Sequence, residues 1–400
     1  MRRQPDRLAL IFPLGCLAAL TEGYDLQSAG LTAPKFAPLF HLDPAQLSWV
    51  FTANTIGLFI GAVIGGRVAD TIGRRWVLIA SMALFGVFSL ATAVSPDSHI
   101  LIIMRFLTGL GLGGALPNLI ALTAESSPPD QAATRVTMLS AAMPGGGGSA
   151  AALLAFVPTL DWRIIFWLGG TAPIAIAVVM LFALAESPAF HDRPRDQKTR
   201  VLEALTGDGR TLTTALLWLT FFCTLMILYL LLNWLPLLLV GKGYAKPEAA
   251  MVALAFTAGG VLGSIGLGWL ARRPKRWRLY VITWLGMAVS LAGLGLIGHQ
   301  LPLGLFAGFC VGVFVNGGLF LLYGLSAEPY PTALRGTGVG FAVGVGRLGS
   351  ITGPLFAGWL LASGHDAGTV LLGAVPLIVI ALVAVLPLSR SQTAATVKPS

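Results

Sequence analysis

Charge is scarce in this chain. Asp, Glu, Lys and Arg make up 11% of its 400 residues, against roughly 25% in soluble domains, which excludes an ordinary water-soluble globule. Cysteine is nearly absent: Cys16, Cys223 and Cys310 lie far apart, each inside an apolar stretch, and signal neither a disulfide framework nor a metal site. His41, His99, His191, His299 and His365 all fall in loops or at helix ends, so no His/Asp/Ser or metal-ligand constellation arises within the apolar stretches. That disfavours an enzyme and predicts neither a cofactor nor a metal. The net charge of +9 raises the question of nucleic acid, but the basic residues sit in short segments between apolar runs rather than on one soluble face, so no nucleic-acid partner is expected. The basic opening Met1–Arg7 is followed by no small-residue cleavage site, which argues against a signal peptide.

Long hydrophobic runs take the place of the missing charge. Hydrophobic residues account for 56% of the chain, and 49 residues are glycine, which lets membrane helices approach closely. Twelve runs come near the roughly 20 residues needed to cross a bilayer. They lie at about 8–31, 46–69, 76–95, 100–122, 132–157, 163–185, 213–240, 248–271, 278–298, 301–325, 334–362 and 367–388. Twenty of the 26 Lys and Arg residues fall in segments on the side of the amino terminus, four (Lys35, Arg163, Lys242, Lys246) on the other, and Arg105 and Arg347 within spans. That split predicts both termini in the cytoplasm.

The one long polar stretch reads as a cytoplasmic central loop, 187–212, between an N-terminal six-helix bundle, 1–186, and a C-terminal one, 213–389, with a cytoplasmic tail at 390–400. An internal repeat supports the division: "GRVADTIGRRW" at 66–76 is echoed by "GWLARRPKRWR" at 268–278, and "AESSP" at 124–128 by "AEPYP" at 327–331, at offsets of 202 and 203. The predicted fold class is an all-α membrane protein of twelve transmembrane helices in two pseudo-symmetric bundles. Repeats of this kind enclose a substrate site near the midplane, around which the halves rock.

Four charges inside spans demand an account. Glu22 and Asp25 stand at i and i+3, on one face of the first helix. A charge at mid-membrane costs about 2.5–3.5 kcal/mol on insertion scales, so both are expected to face a cavity or a partner. At roughly 1.5 Å per residue, Asp25 and Arg105 lie at nearly the same depth. Arg105 is therefore expected to hold one carboxylate, Asp25, as the anion. The other then lies near a like charge in a poor solvent and exchanges protons near neutral pH. The competing reading is a structural ion pair that only fixes helix 1 against helix 4. Arg347, near the midplane of the eleventh span, carries a planar fork suited to a carboxylate. The last six spans hold acids only at their ends, so its counter-ion is expected to be the substrate; backbone carbonyls or an acid of the other half are the alternatives.

Asn118, Asn233 and Asn316, with Tyr24, Tyr229, Trp234, Phe314, Tyr323 and Phe341, together suit a ring with a polar substituent. Taken singly, helix packing, interhelical hydrogen bonding or lipid contact explains each. Glu125 with Arg135, and Glu328 with Arg335, occupy equivalent positions in the two halves and read as inner-gate ion pairs or as solvated end charges. The Pro144–Gly148 and Gly349–Pro354 stretches permit bending or close helix contact.

Gly66-x-x-x-Asp70-x-x-Gly73-Arg74-Arg75, between the second and third spans, resembles the signature of the major facilitator superfamily: a glycine for close helix approach, an acid at a helix end and a basic turn. Thr71 stands where that family usually has a basic residue. The run from Arg105 through Gly109, Gly111, Gly113 and Gly114 resembles the helix 4 motif of the same superfamily. Within it, the chain is similar to the aromatic acid:proton symporters, whose first helix carries Asp-Gly-x-Asp where this chain has Glu22-Gly23-Tyr24-Asp25. Further similarity lies in 105–118, 221–236 and 330–350. The resemblance implies proton-coupled import of a small aromatic carboxylate, of benzoate or hydroxybenzoate type, by alternating access. It implies a monomer in the lipid bilayer of a bacterial inner (plasma) membrane. Proton-coupled efflux of drugs or metabolites is the alternative, because the Arg105 motif also occurs in exporters.

Overall fold

The computed structural model describes residues 10–128, 131–184, 186, 205–271, 277–331 and 334–395. Most of the expected central loop, 187–204, and the end of the tail, 396–400, lie outside the described residues. The chain divides into two compact units, Met1–Arg195 and Asp196–Ser400. The first unit holds α1 (Ile11–Phe36), α2 (Pro44–Ile72), α3 (Arg74–Ala93), α4 (Ser98–Glu125), α5 (Ala132–Phe156) and α6 (Trp162–Ala183). The second holds α7 (Thr211–Gly241), α8 (Lys246–Leu270), α9 (Trp277–Leu296), α10 (Leu301–Ser326), α11 (Arg335–Ala362), α12 (Ala367–Gly373) and α13 (Val375–Ala395).

Among the described residues, eleven segments are long and apolar enough to cross a membrane, with α12 and α13 forming one of them, Ala367–Ser389. The α12/α13 break precedes Pro376, which has no N–H to offer the carbonyl of Leu372. Helix α1 has the length but is not among the eleven, because Glu22, Asp25, Gln27 and Ser28 interrupt its apolar run. Many large apolar side chains are exposed, including Phe156, Phe182, Phe306 and Val289, as expected where the outer surface faces lipid rather than water. The protein is a multi-pass membrane protein. Helices α2, α4, α6 and α12 open on Asp43, Asp97, Asp161 and Asp366, each of whose carboxylates accepts a hydrogen bond from a first-turn N–H.

Glycine decides which helices pair. In the first unit a Cβ at Gly57 would lie 2.1 Å from the Phe106 carbonyl oxygen, and one at Gly109 would lie 1.9 Å from that of Asn54. Helices α2 and α4 are therefore in backbone contact. Gly23 and Gly146 do the same for α1 and α5, against the carbonyls of Met143 and Leu20. The second unit repeats the device: Gly259 and Gly312 join α8 to α10, and Gly349 and Gly353 join α7 to α11. Around the first unit's seams lies an apolar core that includes Leu14, Leu58, Met82, Phe85, Leu112 and Leu139.

Candidate functional site

Asp25 is completely buried and Glu22 is 2% exposed. The pairing of Asp25 follows from how α3 and α4 meet. A Cβ at Gly111 would strike the backbone N of Phe85 at 2.5 Å, so α3 lies directly against α4, and Ser89, one turn on from Phe85, is carried to the level of Arg105. Arg105 spans the carboxylate: Nη2 donates to Oδ2 at 3.1 Å and Nη1 to Oδ1 at 3.3 Å. Ser89 Oγ donates to Oδ1 at 2.7 Å. The Arg105 guanidinium also lies over the Phe166 ring, 5.5 Å from its centroid. Both charges are removed from solvent, and the two-point fork is the geometry in which an ion pair offsets most of its desolvation.

Tyr24, expected beside a substrate, lies next to this pair, within electrostatic reach of Asp25. Successive residues on a helix point about 100° apart. The Tyr24 ring accordingly lies against Gly169 of α6, at the edge of a cavity of about 430 Å³ bordered by α1, α5 and α6 and lined mainly by apolar groups such as Leu20, Leu168 and Ala172. Asn118 donates to the Gly114 carbonyl at 2.8 Å and to that of Gly65 on α2 at 3.5 Å, so its amide helps tie α2 to α4.

In the second unit Arg347 Nη1 donates to Tyr229 Oη at 2.8 Å, joining α11 to α7. The Tyr323 hydroxyl of α10 is within electrostatic reach of both, and its ring meets Phe221 edge-on with centroids 5.4 Å apart. Arg347, Tyr229 and Tyr323 thus form one cluster of a cation and two phenols. Phe341, on α11, is 42% exposed. Asn233 and Asn316 donate to carbonyls of their own helices, Tyr229 and Gly312. Phe314, expected at a substrate, is half-buried on α10. Its ring lies against Gly286 on α9, in the space a side chain there would take. Trp234 is likewise committed, its indole N–H donating to the Pro354 carbonyl at 3.0 Å.

The signature residues lie at one end of the first unit. Gly66 is not the close-approach glycine: a Cβ there would meet nothing within 4 Å, whereas one at Gly65 would lie 2.7 Å from Gly114 Cα. Gly57, Gly61 and Gly65 follow the helical repeat that faces α4, and Gly66 is rotated off it. Asp70 is exposed on the last turn of α2. Gly73, at φ +100°, makes the turn into α3, a conformation that favours glycine. Arg74 forms an ion pair with Glu125 at 3.0 Å. Arg135, expected opposite Glu125, instead donates to Gln131 and stands over the Phe12 ring. Arg75 donates to the Leu181 carbonyl at 2.6 Å. Arg335 is exposed at the first residue of α11, and Glu328 is partly buried just beyond α10.

Two participants escaped the sequence reading. Ser89 was one hydroxyl among several in apolar helices, with no local signal to single it out. Glu186, two residues past Leu184, accepts from the backbone N–H groups of Arg74 and Arg75 at 3.0 and 3.2 Å and so caps the start of α3. Its only sequence cue was an acid at the end of a span. Among the described residues, no group of three or more His, Cys, Asp or Glu side chains gathers as a metal site would require.

The profile of the Major Facilitator Superfamily matches residues 15–351. The chain is 42% identical over 380 residues to the 3-(3-hydroxy-phenyl)propionate transporter of Escherichia coli (strain K12), covering 95% of this chain and 94% of that one. It is 34% identical to the 4-hydroxybenzoate transporter PcaK of Pseudomonas aeruginosa, covering 89% and 86% of the two chains. Among solved structures, that of a D-xylose-proton symporter superposes with a TM-score of 0.76 at 19% identity, covering 92% of this chain and 96% of that one.

Proposed function

Because the chain belongs to the major facilitator superfamily, a family of transporters rather than enzymes, we propose that it imports a small aromatic carboxylate together with protons by alternating access. The observation that carries this reading is Arg347. A guanidinium that donates to the Tyr229 hydroxyl, in a unit whose spans hold acids only at their ends, has the planar fork that matches a carboxylate. The phenols of Tyr229 and Tyr323 supply polar edges beside an aromatic ring, and the names of the relatives, which carry hydroxyphenylpropionate and 4-hydroxybenzoate, supply the substrate class. Asp25 is the fixed anion of the first unit and Glu22 the group that loads and releases the proton. An anion entering a negative-inside cell is opposed by roughly 2.3 kcal/mol per charge per 100 mV, so at least one proton must accompany it for entry without electrical work.

In the same reading α1 also crosses the membrane, giving twelve crossings in two six-helix halves, 1–186 and 213–389. The segment 187–212, the tail 390–400 and both termini lie in the cytoplasm of a bacterial cell, and the chain works as a monomer in its inner membrane. The test uses the purified protein in liposomes, with radiolabelled 3-(3-hydroxyphenyl)propionate and 4-hydroxybenzoate. Accumulation driven by an inward proton gradient, and none of the corresponding amides, is the expected result. Proton-driven export would favour the efflux reading.

A further inference from the structure

We propose that Ser89 is a positioning residue for proton coupling: its hydroxyl fixes Asp25 as the permanent anion of the buried pair, so that Glu22 alone carries the transported proton. The proposal rests on the symport reading above and deepens it.

The contrast between Ser89 and the other hydroxyls of its neighbourhood is the first support. Buried Ser and Thr side chains in membrane helices commonly turn back to a carbonyl three or four residues earlier. Ser28 and Thr32 of α1, Thr92 of α3 and Thr108 of α4 all do so, at 2.6–2.8 Å. Ser89 instead reaches across to a carboxylate on another helix. A serine hydroxyl has one hydrogen. Asp25 Oδ1 lies at 2.7 Å and the Phe166 carbonyl at 3.4 Å, so the hydrogen goes to Asp25.

The second support is the shortage of other donors. Asp25 is completely buried, and Arg105 approaches its Oδ1 only at 3.3 Å. Ser89 makes the shorter bond to that oxygen, of the length expected when a hydroxyl meets an ionised acid. A donor to the carboxylate favours the ionised form. The place for Ser89 is itself enclosed: it is completely buried, and a Cβ at Gly169 would lie in van der Waals contact with its Oγ at 3.4 Å.

The charged and titratable groups around Asp25 are Glu22 and Tyr24 on its own helix and Arg105 on α4. The remaining packed helices carry theirs near their ends: Arg67 and Asp70 on α2, Arg74 and Arg75 on α3, Arg135 on α5 and Arg163 on α6. Within reach of Asp25 these helices contribute no further charge, and the uncharged Ser89 completes its set.

The experiment follows carboxyl protonation in the purified protein by infrared difference spectroscopy across a pH titration, with proton-driven uptake measured in parallel. In Ser89→Ala the protonated-carboxyl band of Asp25 is expected to grow in at higher pH than in the unaltered protein, where it forms only below the range of uptake. Losing one donor to a charged group changes proton affinity about 10- to 100-fold, so the band should shift by one to two pH units. Uptake should fail on acidification over the same displaced range. Ser89→Thr, which keeps the hydroxyl, should restore the original titration and controls for loss of fold. In an Asp25→Asn background Ser89→Ala should add no shift. Identical titrations of Ser89→Ala and the unaltered protein would overturn the proposal, as would a shift that persists in Asp25→Asn. The spectroscopic readout needs no substrate, whereas failure of the unaltered protein to take up aromatic acids overturns the functional reading alone.

Discussion

The two units share a frame and differ in where they keep charge. Each pairs its first helix with its fifth and its second with its fourth through glycines that bring backbones into contact: α1 with α5 and α2 with α4, α7 with α11 and α8 with α10. Within that frame the first unit buries two acids and one arginine, with Asp25 and Arg105 locked in a two-point pair. The second places Arg347 against a phenol, with no acid inside its spans. One unit sets its buried arginine against an acid, and the other sets its arginine against a phenol. A repeated fold has thus been given unlike chemistry by a few side chains on equivalent supports. On the proposed reading the difference divides the labour of symport: proton handling in the first unit, carboxylate recognition in the second.

Breaking the first unit's pair should have the largest effect. Asp25→Asn leaves Arg105 as an uncompensated buried charge, which costs on the order of 3–5 kcal/mol of stability. It should abolish proton-driven accumulation while leaving substrate exchange. The double variant Asp25→Asn/Arg105→Gln should regain most of the stability and none of the accumulation, since two neutral groups replace two charges. Thermal unfolding and liposome uptake read the two quantities separately. Undiminished accumulation by Asp25→Asn would show that the buried pair takes no part in proton coupling.

The second unit's arginine should behave differently. Arg347→Ala removes the hydrogen bond to the Tyr229 hydroxyl, so thermal stability should change by about 1 kcal/mol. Carboxylate affinity should fall roughly 10- to 100-fold, as expected for losing a charge-assisted hydrogen bond, while the weak binding of the matching amides is unaltered. Calorimetry on a carboxylate and its amide checks this. Equal losses for both would show that Arg347 shapes the site without meeting the carboxylate.

A smaller effect tests the shared frame. Gly65→Ala places a methyl 2.7 Å from Gly114 Cα and should destabilise the α2–α4 seam by about 1–3 kcal/mol. Gly66→Ala meets nothing within 4 Å and should be neutral or stabilising by up to about 1 kcal/mol, because alanine is the better helix former. Thermal unfolding that ranks the two in reverse would return the close approach to Gly66.

Those glycines also mark the limit of what could be read from the residues in order. Apolar runs of bilayer length announce helices, because a chain crossing hydrocarbon has to satisfy its backbone internally. Rare charges inside such runs announce partners, because their burial is costly. The match in depth of Asp25 and Arg105 was accordingly legible. The rotation of each helix was not. A step of one residue separates Gly65 from Gly66, and Asp25 from Tyr24, yet in each pair the two positions meet different neighbours. The surroundings of Phe314, Asn233 and Asn316 show the same limit. Position along the helix was known, but whether a glycine opposite would accept a ring, or a carbonyl one turn back would take an amide, depends on the packed neighbour. Ser89 and Glu186 lay beyond reach for a related reason: an unremarkable hydroxyl and a loop-side acid gain meaning only when another helix brings a carboxylate or two free N–H groups to them.

The smallest expected effect separates the units at the turns after their first helices. In the first unit Lys35 donates to the carbonyls of Pro158 and Leu160, neither of which titrates. In the second, Lys242 donates to the Gly295 carbonyl beside Asp366, the cap of α12. The Thr369 hydroxyl, with the N–H groups of Thr369 and Gly368, holds the Asp366 carboxyl below its ordinary range. A carboxylate whose folded value is depressed contributes stability that is complete above its unfolded value and is lost as pH falls through the folded one. The window therefore lies below about pH 4. Hydrogen exchange of α12 should be unchanged between pH 7 and 5 after correction for intrinsic rates, and protection should fall only on stronger acidification. The Lys35-braced turn should show no such step, and Asp366→Asn should remove it from the second unit. A loss of protection of α12 between pH 7 and 5 would mean that the second unit also senses protons in the range that drives uptake, and the division of labour between the units would fail.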